Sequence, residues 1–159
     1  GLKKHGSPAG SAAEYVAASM DAAVYTAIEN AALAKLRDQE VRYLAGFFDG
    51  EGTVGIAGNS LCIRVVNSYR PVLERFAACF GGTIGMHRRG DEKARMTWVW
   101  RCYGAHAADA LNCLLPHLQE KRAQAYLGLH FRHTHKTDKV ARECVVEALS
   151  LLKKVTHHA

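Results

Sequence analysis

The nonapeptide "LAGFFDGEG", residues 44–52, ends an apolar helical run on two carboxylates, Asp49 and Glu51, set among glycines. A helix C-terminus already carries partial negative charge, so acids there are unfavourable unless a cation comes to them. Gly46 and Gly50 are four apart and share one helix face, where missing side chains let another backbone approach closely. Such a G-x-x-x-G pair alone is ordinary local packing. Glu51 sharpens it. A carboxylate beside unsatisfied helix-end carbonyls concentrates negative charge, and a hard divalent cation such as Mg²⁺ fits there, taking carboxylate and carbonyl oxygens and keeping several waters. Two such helix ends, drawn together through their glycines, would hold metals side by side for in-line attack on a phosphodiester.

Upstream, residues 1–10 (GLKKHGSPAG) are basic and broken by Gly and Pro, which predicts loop. Ser11 and Glu14 then form an S-x-x-E capping box ahead of an Ala-rich run, whose composition favours an appended helix or helix pair. Tyr15, Met20, Val24, Ile28 and Leu33 are its occasional larger side chains. Asp38 is placed to cap a second helix from near Gln39. The expected division is an N-terminal helical extension, 1–37, and a main domain, 38–159.

Downstream, Gly50 and Gly52 break the helix and TVGIA starts a strand. The turn GNS (58–60) leads into LCIRVVN, a hairpin. Pro71 opens a short helix, RPVLERFAACF, that Gly81-Gly82 ends. A second strand pair follows, TIGMHRR and ARMTWVWRCY, joined by a turn at Gly90-Asp91. Helices are expected near 105–115, 117–132 and 138–155, the last capped by Asp138. Strands in hairpin pairs predict an α+β fold, an antiparallel sheet with helices on one face. In ARMTWVWRCY, Met96, Trp98, Trp100 and Cys102 share the core side. Arg95, Thr97, Val99, Arg101 and Tyr103 share the open side.

The 159 residues carry a formal net charge of +6, which suits an anionic partner without naming one. The five cysteines lack any C-x-x-C pair, which speaks against a disulfide framework or structural zinc. No stretch reads as a membrane span or leader, so a soluble, intracellular chain is expected, of unknown compartment. The histidines of HFRHTHK (130–136) lack cysteines or carboxylates at metal spacing and read as a basic helix end.

The motif resembles the signature of the LAGLIDADG homing endonucleases, and the order strand–strand–helix–strand–strand–helix after it matches that family over about residues 38–132. "RVVNSYRPVLERFAACFGG", "WVWRCYG" and "LPHLQEKRAQAYLGLHF" read like family segments at the expected order. The resemblance implies a saddle-shaped four-stranded antiparallel sheet with αββαββα connectivity. Glu51, in the eighth motif position, is then the catalytic metal ligand, and Gly50 lends its carbonyl to the metal. Asn67 orients the attacking water or merely caps the next helix. Lys121 stabilises charge near the scissile phosphate, with Arg70 a lesser source of the same. Asp49, Gly46 and Gly50 belong to the interface of a homodimer, since one motif copy supplies half of the two-helix contact.

The implied reaction is site-specific hydrolysis of both strands of double-stranded DNA at a pseudo-palindromic site, as in intron homing. Mg²⁺ is the implied cofactor, Mn²⁺ an alternative and Ca²⁺ a non-cleaving substitute, with no small-molecule cofactor. Arg64, Arg88, Arg95 and Arg101 on the sheet are the candidates for reading guanine edges or fixing phosphates. The short turn at 58–60 departs from the long loops of many relatives. The rival reading is a non-cleaving binder on the same fold, an intron RNA maturase or a DNA-binding regulator.

Overall fold

In the computed structural model, residues 11–19, 21–87 and 96–158 are described. Two compact units divide the chain, one through Gln39 and one from Glu40 onward. In the first, helix α1 (Ala12–Ser19) begins at the expected capping box. The Ser11 N–H donates to Glu14 Oε2 and the Glu14 N–H to Ser11 Oγ. Asp21 Oδ1 accepts from the Ala23 N–H as the next helix starts. Tyr15, Val24, Ile28 and Leu33 are exposed, whereas Met20 lies outside the described residues.

Helix α2 runs from Ala22 to Glu51 without a break at Asp38. Residues 22–45 contain neither Gly nor Pro, and an aspartate within such a run lowers helix propensity only slightly, so no new start is needed.

From Glu40 onward, Val41, Leu44, Ala45 and Phe48 form the buried stripe of α2. Strands β1 (Gly52–Ala57) and β2 (Ser60–Asn67) make the first hairpin. Helix α3 (Arg70–Phe80) crosses to β3 (Thr83–His87), and β4 (Thr97–Tyr103) follows. Arg88, Arg89, Arg95 and the turn at 90–91 lie outside the described residues. Among the described residues the sheet is antiparallel, in the order β1-β2-β4-β3. Helices α4 (Gly104–Leu114), α5 (Arg122–His133) and α6 (Lys139–His158) complete the chain, with a 3₁₀ turn at Leu115–His117 between α4 and α5.

The register puts Val54, Ile63 and Cys102 in one row and Gly52, Val65, Trp100 and Ile84 in the next, all on the side that receives the helices. Leu73 and Phe76 of α3, Leu111 and Leu114 of α4 and Ala125 of α5 close that side. Trp100 is fully buried, and its indole N–H donates to the Gly81 carbonyl at 2.8 Å, which satisfies its polar edge. Two residues of ARMTWVWRCY depart from the expected alternation. Met96 precedes the strand and is exposed rather than core. Val99 is buried although it belongs to the open side, where its register neighbours are Val66 and Gly85.

Gly52 is fixed by sterics. A Cβ there would stand 2.4 Å from the Phe48 ring, so the last residue of the nonapeptide must be glycine for that ring to fold under the helix end. The motif thereby ties the end of α2 to the first residue of β1.

Candidate active site

The C-terminus of α2 comes out beside the entry to α5. The Asp49 carboxylate accepts two backbone N–H bonds from the loop before α5, Gln119 N to Oδ2 at 2.8 Å and Lys121 N to Oδ1 at 3.0 Å. The loop is thus latched onto the helix end. Its consequence is the position of the Lys121 ammonium, which donates to the Asp49 backbone carbonyl at 3.0 Å. That carbonyl is among the last of the helix, which lack intrahelical donors, and a cation there is favourably placed against the helix dipole. Asp49, expected at an intersubunit contact, therefore has an intrachain task.

Glu51, two residues on, is exposed. Among the described residues it has no ion pair or side-chain hydrogen bond, in contrast to Glu40 and Glu74, which hold Arg75 and Arg70. Gly50 is exposed as well. The β1–β2 register pairs Gly52, the first residue after the helix, with Val65, and Asn67 is the last residue of β2, two further along. The end of β2 thus adjoins the helix end. Asn67 Oδ1 accepts the Tyr69 N–H at 2.8 Å, the turn that leads into α3. The capping role is present, and it leaves the amide N–H groups of Asn67 as the donors for any second task.

Arg70 opens α3 on that turn. Its guanidinium lies over Trp98 at 4.5 Å, and its Nε donates to Glu74 at 3.1 Å. Trp98 is the register partner of Asn67, so Arg70 is held close to the end of β2. On the open face of the sheet, Arg64 and Arg101 stand directly opposite each other, flanked by Thr53 and Thr83. Candidates Arg88 and Arg95 fall outside the described residues.

No protein-family model matches the sequence, and no curated protein matches it significantly. Solved structures do match. The homing endonuclease I-CvuI bound to its target in the presence of Ca superposes with a TM-score of 0.59 at 21% identity, over 73% of this chain and 83% of that one. The same enzyme on the I-CreI target, with Mg and the DNA not cleaved, gives 0.50 at 25% identity, over 77% and 83%. The archaeal intron-encoded homing endonuclease I-Vdi141I complexed with DNA gives 0.59 at 17% identity, over 72% and 84%. The chain has the LAGLIDADG homing-endonuclease fold.

That fold implies a divalent metal at the end of the motif helix, and the donor set here fits one in part. Glu51 offers an exposed, unpaired carboxylate and Gly50 a neighbouring carbonyl, both hard oxygen donors. Among the described residues no group of three or more His, Cys, Asp or Glu side chains could hold a metal within this one chain. Among the described residues no helix is long and apolar enough to cross a membrane.

Of the residues singled out in the sequence, the structure brings Asp49, Gly50, Glu51 and Lys121 to one helix end, while Asn67 ends β2, two residues past the partner of Gly52. It keeps Arg64 and Arg101 apart from them, on the sheet. Two features escaped sequence reasoning. One is the Asp49 latch, whose acceptors meet backbone N–H groups about seventy residues away, which no side-chain pattern announces. The other is Lys153 of α6, which reaches the open face of the sheet and lines a cleft with Arg64 and Arg101. Its trace in the sequence is spacing, since Arg142, Val145, Leu149 and Lys153 continue a helical stripe whose middle members are buried.

Proposed function

We propose that the protein is a homodimeric, divalent-metal-dependent endonuclease that cuts both strands of a pseudo-palindromic double-stranded DNA site. The observation that carries this reading is the exposed Glu51 at the end of α2, unpaired among the described residues, while the Lys121 ammonium is bound to the Asp49 carbonyl two residues back. A carboxylate kept at a helix C-terminus without a cation of its own is electrostatically unfavourable in the free chain. A binding module has no need of it.

Glu51 and the Gly50 carbonyl would hold the metal, with the same pair from a second copy. When bound, Mg²⁺ supplies Lewis-acid stabilisation of the phosphodiester and lowers the pKa of a water nucleophile. The chain's own groups do the rest. Lys121 presents a cation close to where negative charge develops on a phosphate laid against the helix end. The Asn67 amide N–H groups can orient a water while its oxygen keeps the turn. The α2 face bearing Gly46 and Gly50 receives the second copy, whose symmetry matches a near-palindromic site. The sheet lies along the DNA, and the net charge of +6 favours encounter with it.

The test is cleavage of a randomised duplex library by the full chain with Mg²⁺, beside Glu51→Gln. The unaltered protein should cut selected sites. Glu51→Gln should lose at least about a thousandfold in rate, roughly 4 kcal/mol of transition-state stabilisation, while still binding DNA. Tight binding with uncut DNA for the unaltered protein would instead favour a non-cleaving binder.

A further inference from the structure

The open face of the sheet holds a corner that the active-site reading does not use. Arg64 and Arg101 are register partners on β2 and β4, with Thr53 beyond Arg64 on β1. One row along stand Gly55, Cys62 and Tyr103. Helix α6 packs on α5 and the edge strand β1, burying Val145 and Leu149, and its stripe then delivers Lys153 over that edge. Lys153 Nζ lies 3.5 Å from where a Cβ on Gly55 would stand, an ordinary contact distance, so the ammonium rests against the strand. Three cations line a cleft of about 280 Å³, and among the described residues no Asp or Glu lines it.

Like charges gathered in a half-buried corner repel, and no described residue lining the cleft carries a compensating charge. Burial first, and then the nearby Arg64 guanidinium, hold the Lys153 ammonium below the usual lysine range. Burial also pushes the Cys62 thiol up despite three cations around it, so the cleft does not make its own anion. The edge of a base is neutral and offsets none of this repulsion, whereas a backbone phosphate brings a full negative charge to it, and guanidinium and ammonium donors suit its oxygens. Arginines on a DNA-facing sheet are ordinarily taken as readers of guanine. Here the convergence with lysine argues otherwise.

We propose that Lys153 joins Arg64 and Arg101 in a clamp for one backbone phosphate, which makes α6 part of the nucleic-acid surface. The clamp fixes the register of the DNA on the sheet and carries no sequence information itself. This rests on the DNA-binding reading above, and its test separates the two.

The full chain is titrated onto duplexes by fluorescence anisotropy over a range of KCl, beside Lys153→Met and Lys153→Arg. Lys153→Met should bind about tenfold more weakly at moderate salt, the effect of one charge-assisted bond. Its logarithmic salt slope should be shallower by about one, with the same loss on every sequence. Lys153→Arg should restore the slope. An unchanged slope, or a loss confined to one base pair of the site, overturns the clamp.

A second measurement is independent of cleavage and of the variants' folding. Iodoacetamide labelling of Cys62, mapped by mass spectrometry, should slow when duplex DNA is added, while the exposed Cys113 on α4 labels as before. Undiminished Cys62 labelling under saturating DNA counts against the clamp. Absence of any DNA binding by the unaltered protein would instead sink the endonuclease reading. Inorganic pyrophosphate then serves as the probe, and the clamp stands or falls on whether it protects Cys62 in the unaltered chain and fails to in Lys153→Met.

Discussion

The nonapeptide contains two kinds of glycine, and the difference between them is informative. Gly52 has an internal reason to be glycine, because a Cβ would collide with the Phe48 ring at 2.4 Å. Gly46 and Gly50 have none. A Cβ at either meets nothing within 4 Å, both are helical, and neither has a positive φ. Glycine within a helix costs about 1 kcal/mol relative to alanine. The chain alone does not explain why it carries two on one exposed face. In the proposed homodimer a closely approaching second backbone would explain them, which assigns these two residues an outward role and Gly52 an inward one.

The largest effect expected from this contrast is at Gly46. Gly46→Leu fills empty space in the single chain and removes a helix glycine, so the monomer should fold with urea stability not lowered and raised by up to about 1 kcal/mol. In the dimer the same side chain would stand between two helices. The dimer dissociation constant should rise by at least about a thousandfold, or roughly 4 kcal/mol, and cleavage should vanish with it. Sedimentation velocity beside a cleavage assay reads both. A dimeric, active Gly46→Leu would remove the outward role assigned to this face.

Gly52→Ala is the complementary experiment and should be the mirror image. The added methyl forces the Phe48 ring out of its place in the core, and overpacking of this kind costs about 2–3 kcal/mol. Urea unfolding should show that loss, while the residual folded protein keeps its oligomeric state. If Gly52→Ala were as stable as the parent and Gly46→Leu were the unstable one, the inward and outward assignments would be reversed.

Much of this was legible before any coordinates. Alternation and turn residues specify the hairpins, and the core rows Val54–Ile63–Cys102 and Val65–Trp100 follow from period two once the strands are placed. The helix that carries the motif was legible in kind but not in length. A cap residue such as Asp38 is only a permissive signal, and a long run of alanine overrides it. The candidate site was legible where its chemistry is local, at Gly50 and Glu51. It was opaque where it depends on backbone groups distant in sequence, as at the Asp49 latch, or on a helix packing over a strand edge, as at Lys153.

The latch itself gives the next prediction. Asp49→Asn keeps the size of the side chain but replaces one acceptor oxygen with a donor, so only one of the Gln119 and Lys121 N–H bonds can survive. Lys121 is then held less firmly at the helix end. Single-turnover cleavage should slow by about ten- to a hundredfold, corresponding to roughly 1.4–2.7 kcal/mol, with DNA affinity changed less than about threefold. A merely structural residue would lower stability and leave that split between rate and binding unmoved. An equal loss in both would reassign Asp49 to the fold alone, beside Gly52.

The smallest effect belongs to the pair at the margin of the outward face. Arg75 binds Glu40 with two bonds, at 2.7 and 2.6 Å, and its guanidinium covers the Tyr43 ring at 4.0 Å. Tyr43 stands three residues before Gly46 on α2. The Arg75 hydrogen bond holds the Glu40 carboxyl below its ordinary value of 4.5, so the pair's stabilisation is present above that value and is lost as pH falls through the lowered one. For an exposed pair the coupling is about 0.2–1 kcal/mol, reduced further by salt. A double-mutant cycle with Glu40→Gln and Arg75→Gln, run at pH 7 and again at successively lower pH below 4.5, should show the coupling at the first and its decline as Glu40 protonates. Run again in the Gly46→Leu monomer, it should give a smaller value at pH 7 than in the dimer, because a second copy beside Tyr43 removes water from the pair. Equal coupling in both backgrounds would mean that the covered face ends at Gly46 and does not reach the preceding turn of the helix.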